Sequence, residues 1–116
     1  MGHTAGHAIE LLSGYKIPHG AAVAKGLALI LNAGHKRGIT GADTRDAVLR
    51  QLKRAGLDIP QPFPIKEIAL ACAGDKKRSG GSVALVVVHR IGDCRILDAP
   101  LTELEDFLNG KLKMEN

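Results

Sequence analysis

The stretch HGAAVAKGLALILNAGHKRG, His19 to Gly38, constrains the fold of this chain more than any other. Wound at 3.6 residues per turn, its Val23, Leu27, Leu29, Ile30 and Leu31 leave no broad face suited to water. Other elements must pack around this helix, which is expected to start at His19 and run to about Lys36. A basic last turn followed by Gly38 is a suitable ending. With 116 residues, 45% of them hydrophobic and 24% charged, the chain can supply those elements as one domain over residues 1–116. Aromatic residues are only 3%, so the core must be aliphatic, which suits close helix packing.

The flanking sequence supplies the partners. Ala5, Ala8, Ile9 and Leu12 recur at three and four, so a helix is expected over His3–Leu12, ended by Ser13-Gly14. Thr40 and Asp43 have capping-box spacing and would open a helix through about Ala55, closed by Gly56. DIPQPFP has three prolines in seven residues and reads as a stiff connector. Pro64 suits the first position of a short helix to about Ala73, and GDKKRSGGS reads as a loop. SVALVVVHRIGDCRIL places two β-branched runs around Gly92-Asp93, a hairpin signal. Thr102 and Glu105 repeat the capping-box spacing before a last helix ending at Gly110. The expected fold is mainly α with one small β-hairpin and no parallel sheet.

Charge and composition narrow the partners. The formal charge of +4 is scattered, apart from the cluster Asp75-Lys76-Lys77-Arg78. Without a basic stripe or a supply of aromatics the chain lacks the usual equipment for nucleic acid, whereas an anionic small molecule suits it. Cys72 and Cys94 have no metal-ligand spacing and read as free thiols. No apolar run reaches membrane-spanning length and no signal peptide pattern opens the sequence, so a cytoplasmic protein away from membranes is expected.

Histidine is the residue that brings chemistry. On a helix His3 and His7, at i and i+4, share a face and can hold one cation, although the same spacing describes two solvated imidazoles. His19 follows across a short turn, where a helix hairpin can bring it beside His3 or His7. Catalytic zinc takes three protein ligands and leaves one position open, so His3 and His19 with one acid would make a set. Glu10 is either that acid or the group that orients an imidazole. His35 reads as a solvated residue favouring the helix dipole, and His89 as satisfied or solvated in a strand. Gly2, Gly6, Gly14, Gly20 and Gly26 in or beside helices suggest close approach of a neighbour. Lys76 and Lys77 either meet a phosphate or carboxylate or are simply solvated.

Taken together, GHTAGHAIELLSGYKIPHGAAVAKG resembles the signature of the 3-dehydroquinate synthases, sugar-phosphate cyclases with the pattern G-H-T-x-G-H-A-I-E, then G-Y, then H-G-E-A-V-A-x-G. ACAGDKKRSGGSVALVVVHRIGDC resembles that family's D-K-K loop and the strand pair after it. The resemblance implies the helical C-terminal domain of a two-domain enzyme whose N-terminal half binds NAD. It implies His3 and His19 as ligands of zinc or another divalent metal, with the third ligand a glutamate upstream of the motif. His7 would lie beside the substrate and assist proton transfer, Glu10 would support the histidine face, and one or both of Lys76 and Lys77 would bind an anionic group. The implied substrate is a sugar phosphate, 3-deoxy-D-arabino-heptulosonate 7-phosphate, converted to 3-dehydroquinate and phosphate. NAD would reach the site only through an NAD-binding domain supplied in cis or in trans, and a homo-oligomer is a further expectation.

Two positions depart from the pattern. Ala21 stands where the family has Glu, removing a carboxylate beside His19, and Lys25 replaces a commonly apolar residue. These departures keep open another sugar-phosphate cyclase, a metal-dependent alcohol dehydrogenase relative, or a stand-alone helical binding module.

Overall fold

The computed structural model describes residues 3–73, 81–90 and 92–109. Its elements are α1 (His3–Leu12), α2 (His19–Lys36), α3 (Ala42–Arg54), α4 (Ile65–Ala73), β1 (Ser82–Arg90), β2 (Asp93–Pro100) and α5 (Leu101–Leu108). As the apolar pattern requires, α2 is central and touches α1, α3, α5 and β1. What it buries is smaller than expected: Ala22, Ala24, Gly26, Ile30, Leu31, Ala33 and Gly34, while Val23, Leu27 and Leu29 are half-buried. Small residues let neighbouring backbones approach closely. The clearest case is Gly6, where a Cβ would stand 2.9 Å from Val23 Cα and 3.1 Å from the Ala22 carbonyl oxygen. Gly20, by contrast, has open space, so only part of the glycine expectation is met.

The turn between α1 and α2 follows from helix-end chemistry. Gly14 adopts φ +63 and its N–H bonds the Leu11 carbonyl at 3.0 Å, while the Tyr15 N–H reaches the Glu10 carbonyl at 2.9 Å. This pair of bonds is a Schellman ending. Ser13 reinforces it by donating its hydroxyl to the Glu10 carbonyl at 2.9 Å and accepting the Ile17 N–H at 3.2 Å. Pro18, extended at ψ 150, then starts α2 by accepting the Ala22 N–H at 2.9 Å.

Neither expected capping box forms. Gly41 is the N-cap of α3, and Thr40 turns inward, buried, its hydroxyl donating to the Val88 carbonyl of β1. A tertiary bond has taken the side chain that helix capping would have used. Gly34 makes room for it, since a Cβ there would collide with the Thr40 hydroxyl. The same corner is tied by the Gly41 N–H to the His89 carbonyl at 3.3 Å, and by Nδ1 of His89 donating to the Ile39 carbonyl at 2.8 Å. His35 also joins the corner, its Nδ1 donating to the Thr40 carbonyl at 3.2 Å. The last helix begins one residue earlier than Thr102, with Pro100 as N-cap and no side-chain cap. It ends at Leu108, and Gly110 lies outside the described residues.

The hairpin is antiparallel, paired from Ser82↔Pro100 to Val88↔Cys94, with an irregularity between Val88 and Arg90 and Gly92 at φ +83 in its turn. Alternation turns Leu85 and Val87 inward, where they join Ile9, Ile30, Ile68, Leu104 and Phe107 in the core. Burying each such side chain is worth about 1.5–3 kcal/mol. Arg37, just past α2, stacks 4.8 Å above the Phe107 ring and joins α2 to α5. Cys72 on α4 reaches the Thr4 carbonyl at 3.7 Å, and burial raises its thiol to about 11. Neither cysteine is in a disulfide. Among the described residues no helix is long and apolar enough to cross a membrane.

Candidate functional site

The α1–α2 turn folds two of the site residues into contact. Glu10, in the last turn of α1, and His19, the first residue of α2, meet at 2.8 Å between Oε1 and Nδ1. The carboxylate side chain is 12% exposed and the imidazole 65% exposed, so the ring projects outward from a sheltered acceptor. Because the carboxylate oxygen accepts, Nδ1 carries the proton, and in the neutral ring this places the lone pair on Nε2. That is one of the two tautomers in which histidine coordinates metals.

His7 is exposed on α1, three residues before Glu10, and His3 is the first residue of the same helix. The side chain of His3, and Lys76 and Lys77 altogether, lie outside the described residues. Among the described residues no three His, Cys, Asp or Glu side chains gather into a metal-holding group. Among the described residues Glu10 and His19 are the expected site residues that meet.

The two departures also acquire a setting. Ala21 is half-buried, and the carboxylate in contact with His19 comes from Glu10 on the preceding helix, so an alanine at 21 leaves the ring with an acidic partner. Lys25 donates from Nζ to the Ile59 carbonyl at 2.9 Å, which accounts for a cation at a position otherwise apolar. The sequence names Glu10 and His19 separately, but the signal for their pairing is subtle. An acid in the last turn of one helix precedes a histidine at the start of the next across a six-residue turn.

Among the described residues four helices and one hairpin accompany α2 in a mainly helical domain, with Glu10 and His19 paired where α1 gives way to α2. The fold is shared with a crystal structure of 2-deoxy-scyllo-inosose synthase complexed with carbaglucose-6-phosphate, NAD+ and Co2+, at a TM-score of 0.75 and 22% identity over 96% of this chain and 32% of that one. A second structure of 2-deoxy-scyllo-inosose synthase matches at a TM-score of 0.72 and 21% identity, over 92% of this chain and 31% of that one.

The chain belongs to the 3-dehydroquinate synthase C-terminal family, whose profile matches residues 1–78. It is similar to the 3-dehydroquinate synthase of Streptococcus sanguinis (strain SK36), 37% identical over 110 residues, which is 93% of this chain and 31% of that protein. The enzymes of Streptococcus gordonii (strain Challis) and Streptococcus suis (strain 05ZYH33) are each 36% identical over the same shares. The chain therefore spans 31% of the length of these relatives and matches their C-terminal portion.

Proposed function

We propose that this chain is the metal- and substrate-binding domain of a 3-dehydroquinate synthase, a phosphate lyase acting on 3-deoxy-D-arabino-heptulosonate 7-phosphate. The single observation that carries the reading is the 2.8 Å contact between Oε1 of Glu10 and Nδ1 of His19, an acid orienting an exposed imidazole. The donor chemistry fits zinc or another divalent ion, and 2-deoxy-scyllo-inosose synthase has been crystallised with Co2+ and NAD+. His19 and His3 would hold the ion together with a ligand from elsewhere in the protein. Bound there, it would supply Lewis-acid polarisation of the substrate oxygens.

The other roles belong to this chain's side chains. Glu10 holds the imidazole of His19 in one tautomer and one orientation. His7, exposed one turn before Glu10, exchanges a proton with the substrate as phosphate leaves. Lys76 and Lys77 bind an anionic group of the substrate as point charges. NAD is held by a nucleotide-binding domain, in cis or in trans. The active site is complete only where the two domains meet.

Titration with Co2+, followed by its visible absorbance, tests the reading. Binding by the chain that is lost in both His3→Ala and His19→Ala is the expected result, and binding indifferent to both substitutions would refute it. Ala21 and the likeness to 2-deoxy-scyllo-inosose synthase favour a second sugar-phosphate cyclase reading. Assays with the nucleotide-binding domain supplied separate the two: phosphate released from the heptulosonate phosphate supports the first, and turnover of a hexose 6-phosphate alone supports the second.

A further inference from the structure

A cleft of about 500 Å³ lies between α2, α3 and the connector at residues 57–60. It is separate from the histidine face. Counted at about 100° per residue from His19, the lining residues Lys25, Ala28 and Asn32 stand roughly 180–240° around α2. The Glu10–His19 pair and the cleft thus use opposite sides of one helix.

The cleft is built by spacing on both helices. Lys25, Ala28 and Asn32 recur at three and four on α2, and Asp46, Leu49, Arg50 and Lys53 do the same on α3. Ala28 is small and leaves room for an apolar floor continued by the half-buried Leu49, Leu52 and Leu57. The outer wall is Ile59 and Pro60, with Ile59 67% exposed, a large apolar side chain left facing water. That wall is held in place rather than loosely draped. The Leu57 N–H bonds the Leu52 carbonyl at 2.8 Å, and Lys25 Nζ fastens the Ile59 carbonyl from across the cleft at 2.9 Å.

Charge at the mouth is unbalanced. Asp46 is paired with Arg45 at 3.1 Å, and Lys25 is committed to Ile59. Arg50 and Lys53, one turn apart on the exposed rim of α3, have no ion pair among the described residues, and the one other lining carboxylate is Asp58. The lining carries three cations, Lys25, Arg50 and Lys53, against two carboxylates, Asp46 and Asp58. This excess of positive charge beside an apolar floor suits a ligand with the reverse arrangement, a hydrophobic body ending in an anion. The volume is ordinary for a small-molecule site, about 300–1,000 Å³.

The geometry points to a second binding site in this cleft, for a compact apolar molecule bearing one carboxylate. The body packs on Ala28 and Leu49, and the carboxylate takes the Arg50 guanidinium, a donor fork shaped for it, with Lys53 alongside. This site is independent of the metal reading, so the failure of either leaves the other standing.

The test is calorimetric titration of the 116-residue chain with 2-naphthoate and with the neutral 2-naphthamide. The acid is expected to bind with a Kd on the order of 0.1–1 mM, and the amide about fivefold or more weakly. Arg50→Ala with Lys53→Ala, both on the exposed surface, should weaken the acid by about fivefold or more and leave the amide unchanged. Ala28→Leu, which fills the floor, should abolish both, with the circular dichroism melt reporting that each variant is folded. Equal binding of acid and amide overturns the anionic character of the site. Binding that survives Ala28→Leu in a folded variant, or no binding of the acid at several mM, overturns the site itself.

Discussion

Glu10 does two jobs at the junction of α1 and α2: its carbonyl receives the Tyr15 N–H and the Ser13 hydroxyl that end one helix, and its carboxylate holds Nδ1 of His19 at the start of the next, 2.8 Å away. The residue that stops the first helix therefore also aims the second helix's histidine. The backbone role is indifferent to side-chain identity, whereas the orienting role depends on it.

Substitution at Glu10 separates the two. Glu10→Ala keeps the backbone turn and removes the acceptor, so Co2+ affinity should fall by about 10–100-fold. Glu10→Gln retains a carbonyl acceptor and should lose less. Competition against a chromogenic chelator measures both, and unchanged affinity in Glu10→Ala would deny the residue any orienting role.

Two glycines, Gly6 on α1 and Gly20 on α2, should respond oppositely to alanine. At Gly6 the added methyl meets Val23 Cα at 2.9 Å, backbone that cannot swing aside, so Gly6→Ala should cost about 1–3 kcal/mol. At Gly20 nothing lies within 4 Å, and Gly20→Ala should be neutral or stabilising by up to about 1 kcal/mol. Urea unfolding of the two variants reads the contrast directly.

The Thr40 hydroxyl is buried and bonded to the Val88 carbonyl. Thr40→Val keeps the shape but strands that carbonyl, so stability should drop by about 1–3 kcal/mol, while Thr40→Ser, still able to donate, should lose less. Amide hydrogen exchange in β1 should rise in the valine variant first.

The cysteines should differ in reactivity. Burial lifts the Cys72 thiol from near 9 to about 11, whereas Cys94 is exposed. At pH 8 a thiol reagent should modify Cys94 rapidly and Cys72 slowly. Because the folded value is the higher one, the neutral thiol's contribution is fully present below about pH 9. It is lost as pH rises through about 11. The stability of the chain relative to Cys72→Ala should accordingly fall by up to about 2–3 kcal/mol across that interval.

Much of the fold was legible because helix signals are short-range. Apolar periodicity and stop signals placed α1 at His3–Leu12 and α2 at His19–Lys36, the bounds the structure has. The hairpin around Gly92 was legible for the same reason, a left-handed turn residue between two β-branched runs. Side-chain partners were less so. Thr40 and Thr102 have the spacing of caps, but Thr40 found a strand carbonyl 48 residues away, and α5 began at Leu101.

By itself the sequence determined which residues lie on helices, that α2 is central, and that His3, His7, Glu10 and His19 belong to one stretch of chain. Periodicity and helix stops act over a few residues, and neighbouring chain is enough to read them. Only the tertiary structure decided that Glu10 faces His19, that Thr40 spends its hydroxyl on β1, and that Lys25 fastens a connector across a cleft. Each of those is a choice among competing hydrogen-bond acceptors, settled by which acceptor the packing of α2 brings within reach of the donating side chain.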